Sequence, residues 1–155
     1  LLMGLEELLP VAQAAGVKLV LQPMSPVYRE WTFLSSLDMA MGVLDEFRSS
    51  HVGLALGTCH LGREKNLFQR IESIGPMIGS VQVSDWVPTS SDADRRLPGE
   101  GRLPLVEILA AIESTGYQGW YELEVWSRDL WKQDPETLMS RCLQSLGSLM
   151  PVDAR

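Results

Sequence analysis

The chain has 155 residues, of which 45% are hydrophobic, and its net charge is −7 at neutral pH. This length and composition suffice for one sizeable core, so we expect a single domain over residues 1–155. The acidic charge opposes binding to nucleic acid or to an anionic membrane surface, and no apolar run approaches the roughly 20 residues of a spanning helix. Glu6 and Glu7 differ from the basic start of a signal peptide. Cys59 and Cys142 are isolated thiols, so a cytoplasmic location is expected.

Helical periodicity and short apolar runs alternate along the chain. The apolar runs predict four strands, at residues 17–22, 52–57, 80–85 and 120–125. The periodic segments predict five helices, over residues 5–15, 35 or 36 to 47, 66–74, 105–114 and 135–149. Gly16 and Gly116 end two of these helices, and Pro135 lies in the first turn of the last one, where a missing amide hydrogen costs nothing.

A leading helix followed by four strand–helix units predicts an α/β fold with a parallel sheet. The strands are continuous apolar runs, as is typical of strands covered on both faces. Four right-handed βα units form either an open doubly wound sheet or half of an eight-stranded barrel. No G-x-G-x-x-G follows the first strand and no P-loop occurs, so the dinucleotide-binding interpretation loses its main support.

In both architectures the chemistry lies at the carboxyl ends of the strands. The four predicted strands end in Q-P-M at 22–24, G-T-C-H at 57–60, Q-V-S-D at 82–85 and E-L-E at 122–124. Glu124 lies between two apolar residues of a strand that should be buried, where an unpaired carboxylate would be costly. We therefore interpret Glu124 as a residue of a pocket.

Two longer motifs are more specific: D-R-R-L-P-G-E-G-R at residues 94–102 and G-Y-Q-G-W-Y-E-L-E at residues 116–124. With the four strand ends, they resemble the C-terminal half of the xylose isomerase-like TIM barrels, over about residues 16–126. That family includes sugar-phosphate isomerases, ketose epimerases and hydroxypyruvate isomerases. The resemblance therefore implies a (β/α) TIM-barrel type of fold, with about four parallel βα units here, and a small sugar, polyol or keto-acid as the ligand.

The resemblance also implies a change at the metal site. The family holds a divalent ion (Mn, Mg, Zn or Co) with a glutamate, an aspartate, a histidine and a final glutamate. The matching positions here are Gln22, Gly57, Gln82 and Glu124, so Glu124 is the only retained ligand. A neutral amide and a missing side chain are poor ligands for a hard cation, and Gln82 does not replace an imidazole. We expect no metal and no other cofactor in this chain.

The resemblance assigns roles residue by residue. Glu124 is the catalytic candidate. The substrate-binding candidates are His60, Arg95, Arg96, Trp86, Gln22 and Gln82. In the family two glutamates exchange protons with the substrate, and Gln22 replaces one of them. Because an amide takes up no proton at a useful pH, we expect impaired catalysis.

Structural interpretations of the same residues stay open. His60 would then bond a nearby backbone group, the arginine pair would be a solvated loop feature, and Trp86 would be core. Asp85 would cap the following loop. Two function classes remain: a sugar isomerase or epimerase-like protein with a degraded metal site, and a non-catalytic relative that binds a ligand or a protein. A DNA-repair nuclease is opposed by the acidic charge and the replaced ligands.

Four strands leave two unpaired parallel edges, at residues 17–21 and 120–125, and Lys18 is the only charge in the first of them. We therefore expect either a homo-oligomer or a missing N-terminal half. A start in the middle of a helical pattern favours the second alternative.

Overall fold

Four parallel strands form one sheet in the computed structural model, which describes residues 1–88 and 94–150. The strands are β1 (Leu19–Leu21), β2 (Val52–Gly57), β3 (Ile78–Val83) and β4 (Tyr121–Leu123). Their order in the sheet is the order in the chain, and all three neighbouring pairs are parallel. A doubly wound sheet reverses its strand order, whereas a barrel adds each strand beside the last. The topology is therefore that of half a (β/α) barrel, as predicted.

In the described residues, six α-helices connect and flank the strands. They are α1 (Leu2–Ala15), α2 (Leu37–Phe47), α3 (Thr58–Leu61), α4 (Leu67–Ile74), α5 (Leu105–Ser114) and α6 (Pro135–Leu149). All five predicted helices are confirmed, and α3 is an addition, because a single turn is too short to show helical periodicity. The Ser36 hydroxyl accepts a hydrogen bond from the Met39 amide and caps α2, and Gly16 ends α1 with φ +66°.

The strand bounds differ from the predicted ones in three places. β2 lies where it was predicted, but β3 runs from 78 to 83 instead of 80 to 85, because a 3₁₀ turn at Gly75–Met77 delivers the chain into the sheet two residues earlier. β1 and β4 have three residues each. Both are edge strands of the described part of the sheet, so their ladders of hydrogen bonds have a partner on one side.

The core lies between the convex face of the sheet and the helices. Strand residues such as Leu54, Leu56 and Val81 are completely buried there, against helical residues such as Ile71 and Ile108. On the opposite, concave face, every second residue of β2 is small: these residues are Gly53, Ala55 and Gly57. α6 differs from the other helices, since none of its fifteen residues is buried. Within residues 1–88 and 94–150, no helix combines the length and the apolarity needed to cross a membrane.

Candidate functional site

Gln22, Gly57 and Gln82 meet at the carboxyl ends of β1, β2 and β3. The Gln22 amide donates a short hydrogen bond from Nε2 to Oε1 of Gln82. A Cβ atom built on Gly57 would lie 3.5 Å from Gln22 Nε2 and 3.6 Å from Gln82 Oε1. The three positions that the resemblance aligned with metal ligands are therefore neighbours in space. Two of them hold neutral amides bonded to each other, and the third, Gly57, has no side chain.

His60 borders the same point, because the short helix α3 turns back directly after β2. Its Cδ2 atom would lie 3.0 Å from a Cβ atom on Gly57, and 5% of the residue is exposed. The Ser25 amide donates to His60 Nδ1 over 3.2 Å. Since a backbone amide only donates, Nδ1 is the acceptor of this hydrogen bond. The Tyr28 ring packs edge-on against His60, with centroids 5.5 Å apart.

Arg95 connects His60 to Glu124. Its Nη2 atom lies 3.2 Å from His60 Nε2, and its Nη1 atom lies 2.5 Å from Oε2 of Glu124 and 3.0 Å from the Glu124 carbonyl oxygen. Arg95 is 4% exposed, and its Nε atom is buried without a hydrogen-bond partner among the described residues. Gln22, Gln82 and His60 thus surround Gly57, and Arg95 and Glu124 continue the cluster from His60.

Asp85 builds the loop that carries Arg95. Its two carboxylate oxygens accept hydrogen bonds from four backbone amides, those of Trp86, Gly99, Gly101 and Leu103, over 2.7–3.0 Å. The residue is 1% exposed. A Cβ atom on Gly101 would collide with this carboxylate, which explains the second glycine of the Pro-Gly-Glu-Gly turn. The interpretation of Asp85 as a loop cap was therefore correct, but the cap spans eighteen residues.

The backbone separates the two arginines. Arg96 forms an antiparallel bridge with Asp85 through hydrogen bonds of 2.8 and 2.9 Å in both directions. Because neighbouring residues of an extended segment point to opposite sides, Arg95 faces Glu124 while the Arg96 side chain lies 3.8 Å from Asp94. The structure thus brings Arg95 into the cluster and leaves Arg96 outside it.

Trp86 lies at the rim rather than at the centre. The Arg63 guanidinium stacks on the Trp86 ring, 4.2 Å from the ring centroid. The Nε1 atom of Trp86 is buried without a hydrogen-bond partner among the described residues. Next to this stack, a cavity of about 510 Å³ is lined by residues that include Ser25, His60 and Arg63. Ser25 and Arg63 gave no signal in the sequence, because a serine and an arginine in connecting segments are usually solvated.

The donors of this cluster do not suit a divalent cation. Gln22 and Gln82 use their amide groups on each other, Gly57 offers no side chain, and the Glu124 carboxylate is paired with Arg95. Within the described ranges, no three His, Cys, Asp or Glu residues converge. Hard cations prefer several oxygen ligands with negative charge. Here the single carboxylate, that of Glu124, is bonded to the positively charged guanidinium of Arg95.

A consecutive parallel half-barrel with a polar cluster at its strand ends defines the class of this protein. The chain belongs to the family described as xylose isomerase-like TIM barrel, which matches residues 1–147. The resemblance drawn from the strand-end motifs is thereby confirmed.

Relatives of known name are sugar epimerases and isomerases at low identity. D-psicose 3-epimerase of Enterocloster bolteae is 30% identical over 117 residues, which are 75% of this chain and 36% of that protein. A crystal structure of a Sinorhizobium meliloti protein superposes with a TM-score of 0.86 and 28% identity, over 96% of this chain and 56% of that one. The IOLI protein with a bound zinc atom gives a TM-score of 0.83 at 20% identity, over 96% and 54%. The chain therefore spans about a third to a half of the relatives it matches.

Proposed function

We propose that the strand-end cluster binds a small polyhydroxylated ligand, a ketose or a related keto-acid, without a divalent ion. The observation that carries this proposal is the amide pair of Gln22 and Gln82 at positions where the family resemblance implies charged or imidazole ligands. A metal-independent site of this kind needs hydrogen-bonding groups in place of the cation, and the cluster supplies them.

The polar groups match the chemistry of a sugar or a keto-acid. The guanidinium of Arg95 lies 3.2 Å from His60 Nε2 through its Nη2 group, and its N–H groups suit a ligand oxygen that accepts. Outside their mutual hydrogen bond, the Gln22 amide keeps its oxygen as an acceptor and the Gln82 amide keeps its NH₂ group as a donor, which suits the hydroxyl groups of a vicinal diol. Gly57 places no side chain between the two amides.

The same groups support binding better than epimerisation. Epimerisation at a carbon next to a carbonyl requires one group to remove a proton and a second to return one on the other face. Glu124 is the only carboxylate of the cluster, and Arg95 engages it in an ion pair. Gln22 takes up no proton. We therefore propose that this chain retains the sugar site of an epimerase-like barrel with impaired catalysis.

Calorimetric titration with D-psicose and D-fructose in excess chelator tests the proposal. Binding should persist in the chelator, and Gln82→Leu should weaken it by about tenfold or more, since it removes the partner of the Gln22 amide. Gln69→Leu on the exposed face of α4 is the matched control and should bind as the wild type does. Binding that requires added Mn²⁺, or no binding of either ketose, would contradict the proposal.

The conversion of D-fructose to D-psicose, followed by chromatography with and without Mn²⁺, tests the catalytic part separately. We expect no conversion above the enzyme-free background in either condition. Conversion that Mn²⁺ stimulates and Glu124→Gln abolishes would show an intact metal-dependent epimerase and would overturn the proposed impairment.

A further inference from the structure

The cavity of about 510 Å³ beside the Trp86 stack adjoins the strand-end cluster without belonging to it. His60 is a wall of both, because it borders Gly57 and also lines the cavity. The remaining walls come from the segment that connects β1 to α2 and from the residues that follow α3. The volume lies in the range of small-molecule sites, about 300–1,000 Å³. A ligand held at the cluster can therefore extend past His60 into this space.

Arg63 brings a positive charge to the cavity. Its guanidinium lies over the Trp86 ring, 4.2 Å from the ring centroid, and its Nη2 atom donates to the Ser25 hydroxyl oxygen over 3.4 Å. The face of a tryptophan ring attracts a cation and holds it in place. A guanidinium has five N–H donors in one plane, so Arg63 can bind an anion while it keeps both of these contacts.

The ring beneath the guanidinium is mounted on a fixed backbone. The Trp86 amide donates to Oδ1 of Asp85 over 2.7 Å, and the Trp86 carbonyl oxygen accepts from the Arg102 amide over 2.8 Å. Asp85 itself is 1% exposed. The surface on which Arg63 lies is therefore set before a ligand arrives, which lowers the entropy cost of ordering the arginine.

The negatively charged residue of the cavity lining is Glu64, and its carboxylate is engaged elsewhere. Its Oε1 atom accepts from the Leu37 amide over 3.0 Å, and its Oε2 atom lies 3.3 Å from Nη1 of Arg70. A paired carboxylate repels an anion less than a lone one does. The net charge of −7 opposes anions from a distance, but salt screens that field over about 8 Å at physiological ionic strength.

We propose that this cavity binds an anionic end group, a phosphate or a carboxylate, of the sugar whose hydroxyl groups bind at the strand-end cluster. Arg63 is the group that binds the anion, through charge-assisted hydrogen bonds. The inference rests on the proposed function for the position of the sugar, and it adds the class of ligand, a ketose with a charged group at one end.

Calorimetric titration with three matched ligands tests this inference. D-fructose, D-fructose 6-phosphate and D-fructuronate carry a hydroxyl group, a phosphate and a carboxylate at carbon 6, and each is titrated in chelator at one ionic strength. At least one anionic ligand should bind the wild type on the order of tenfold more tightly than D-fructose, and the larger gain identifies the anion. Arg63→Met should bring this ratio of affinities close to one, and Arg63→Glu should bring it below one.

The ratio is the readout because a change in the sugar site or in folding alters the binding of all three ligands alike. Lys65→Met removes the same charge at an exposed position that does not line the cavity, and it should keep the wild-type ratio. If D-fructose binds and neither anionic group adds affinity, or if the gain survives Arg63→Met, the inference is wrong while the proposed function stands. If D-fructose does not bind but an anionic ligand binds through Arg63, the proposed function fails and the anion site stands. Binding of none of the three ligands would overturn both.

Discussion

The Asp85 carboxylate is predicted to be the group on which the loop of residues 94–103 depends most. Its Oδ1 atom accepts from the amides of Trp86 and Leu103, and its Oδ2 atom accepts from those of Gly99 and Gly101. Asp85→Asn replaces one of these oxygens with an NH₂ group, which donates instead of accepting. Two of these four amides, most of which are only partly buried, then lose their acceptor, and the other two lose the charge that strengthens their hydrogen bonds.

The cost can be worked from this count. An unsatisfied buried donor costs about 1–3 kcal/mol. Because these amides are mostly only partly buried, two of them predict a loss of about 2 kcal/mol in the free energy of unfolding of the loop or of the domain, at the lower end of that range. The bridge between Asp85 and Arg96 should open with it, which releases Arg95 from Glu124. Ligand binding should therefore fall together with stability.

Urea unfolding and limited proteolysis with trypsin measure the two consequences of Asp85→Asn. Trypsin should cut at Arg95, Arg96 or Arg102 in the variant well before it cuts there in the wild type. Asp45→Asn, at an exposed position on α2, is the control and should change stability by less than about 0.5 kcal/mol. If Asp85→Asn lowers stability by less than about 1 kcal/mol and leaves the loop resistant to trypsin, the carboxylate does not organise the loop.

Two further predictions concern a tyrosine and a helix cap. Burial, and next the hydrogen bond to Glu113, raise the pKa of Tyr121 above its usual 10.0. Its contribution to stability is therefore present below pH 10 and is lost as the pH rises further, because the unfolded chain ionises first. Glu113→Gln should lower this pKa, as an NMR titration of the Tyr121 ring would show, and an unchanged titration would contradict the pairing. Ser36→Ala should cost about 1 kcal/mol in urea unfolding by removing the α2 cap, whereas Ser140→Ala on the exposed face of α6 should be near neutral.

Much of the fold follows from patterns that act locally. The apolar run at 52–57 has both faces covered and gave β2 its correct bounds, and α5 and α6 appeared as predicted from their periodicity. The edge strands were predicted too long, because an apolar run does not reveal where a strand lacks a partner. α3 was missed for lack of length, although it is the turn that carries His60 into the site.

The site was predictable in position but not in its contacts. Strand ends meet at one edge of a parallel sheet, so the alignment of Gln22, Gly57 and Gln82 with Glu124 required the topology alone. The choice between Arg95 and Arg96 required the bridge to Asp85, a contact between residues that lie on opposite sides of a long loop. The amide pair is likewise a tertiary contact, since its two members are sixty residues apart.

Titration with Mn²⁺ tests most directly the claim that this family member has a strand-end site without a metal. The wild type should bind no stoichiometric Mn²⁺. The triple variant Gln22→Glu, Gly57→Asp, Gln82→His should gain a site, because it rebuilds three ligands around Glu124. A new side chain at residue 57 would start between the two glutamine positions, provided that His60 moves by a few tenths of an ångström. One tightly bound ion in the wild type that Glu124→Gln removes, or a folded triple variant that binds no Mn²⁺, would contradict the account.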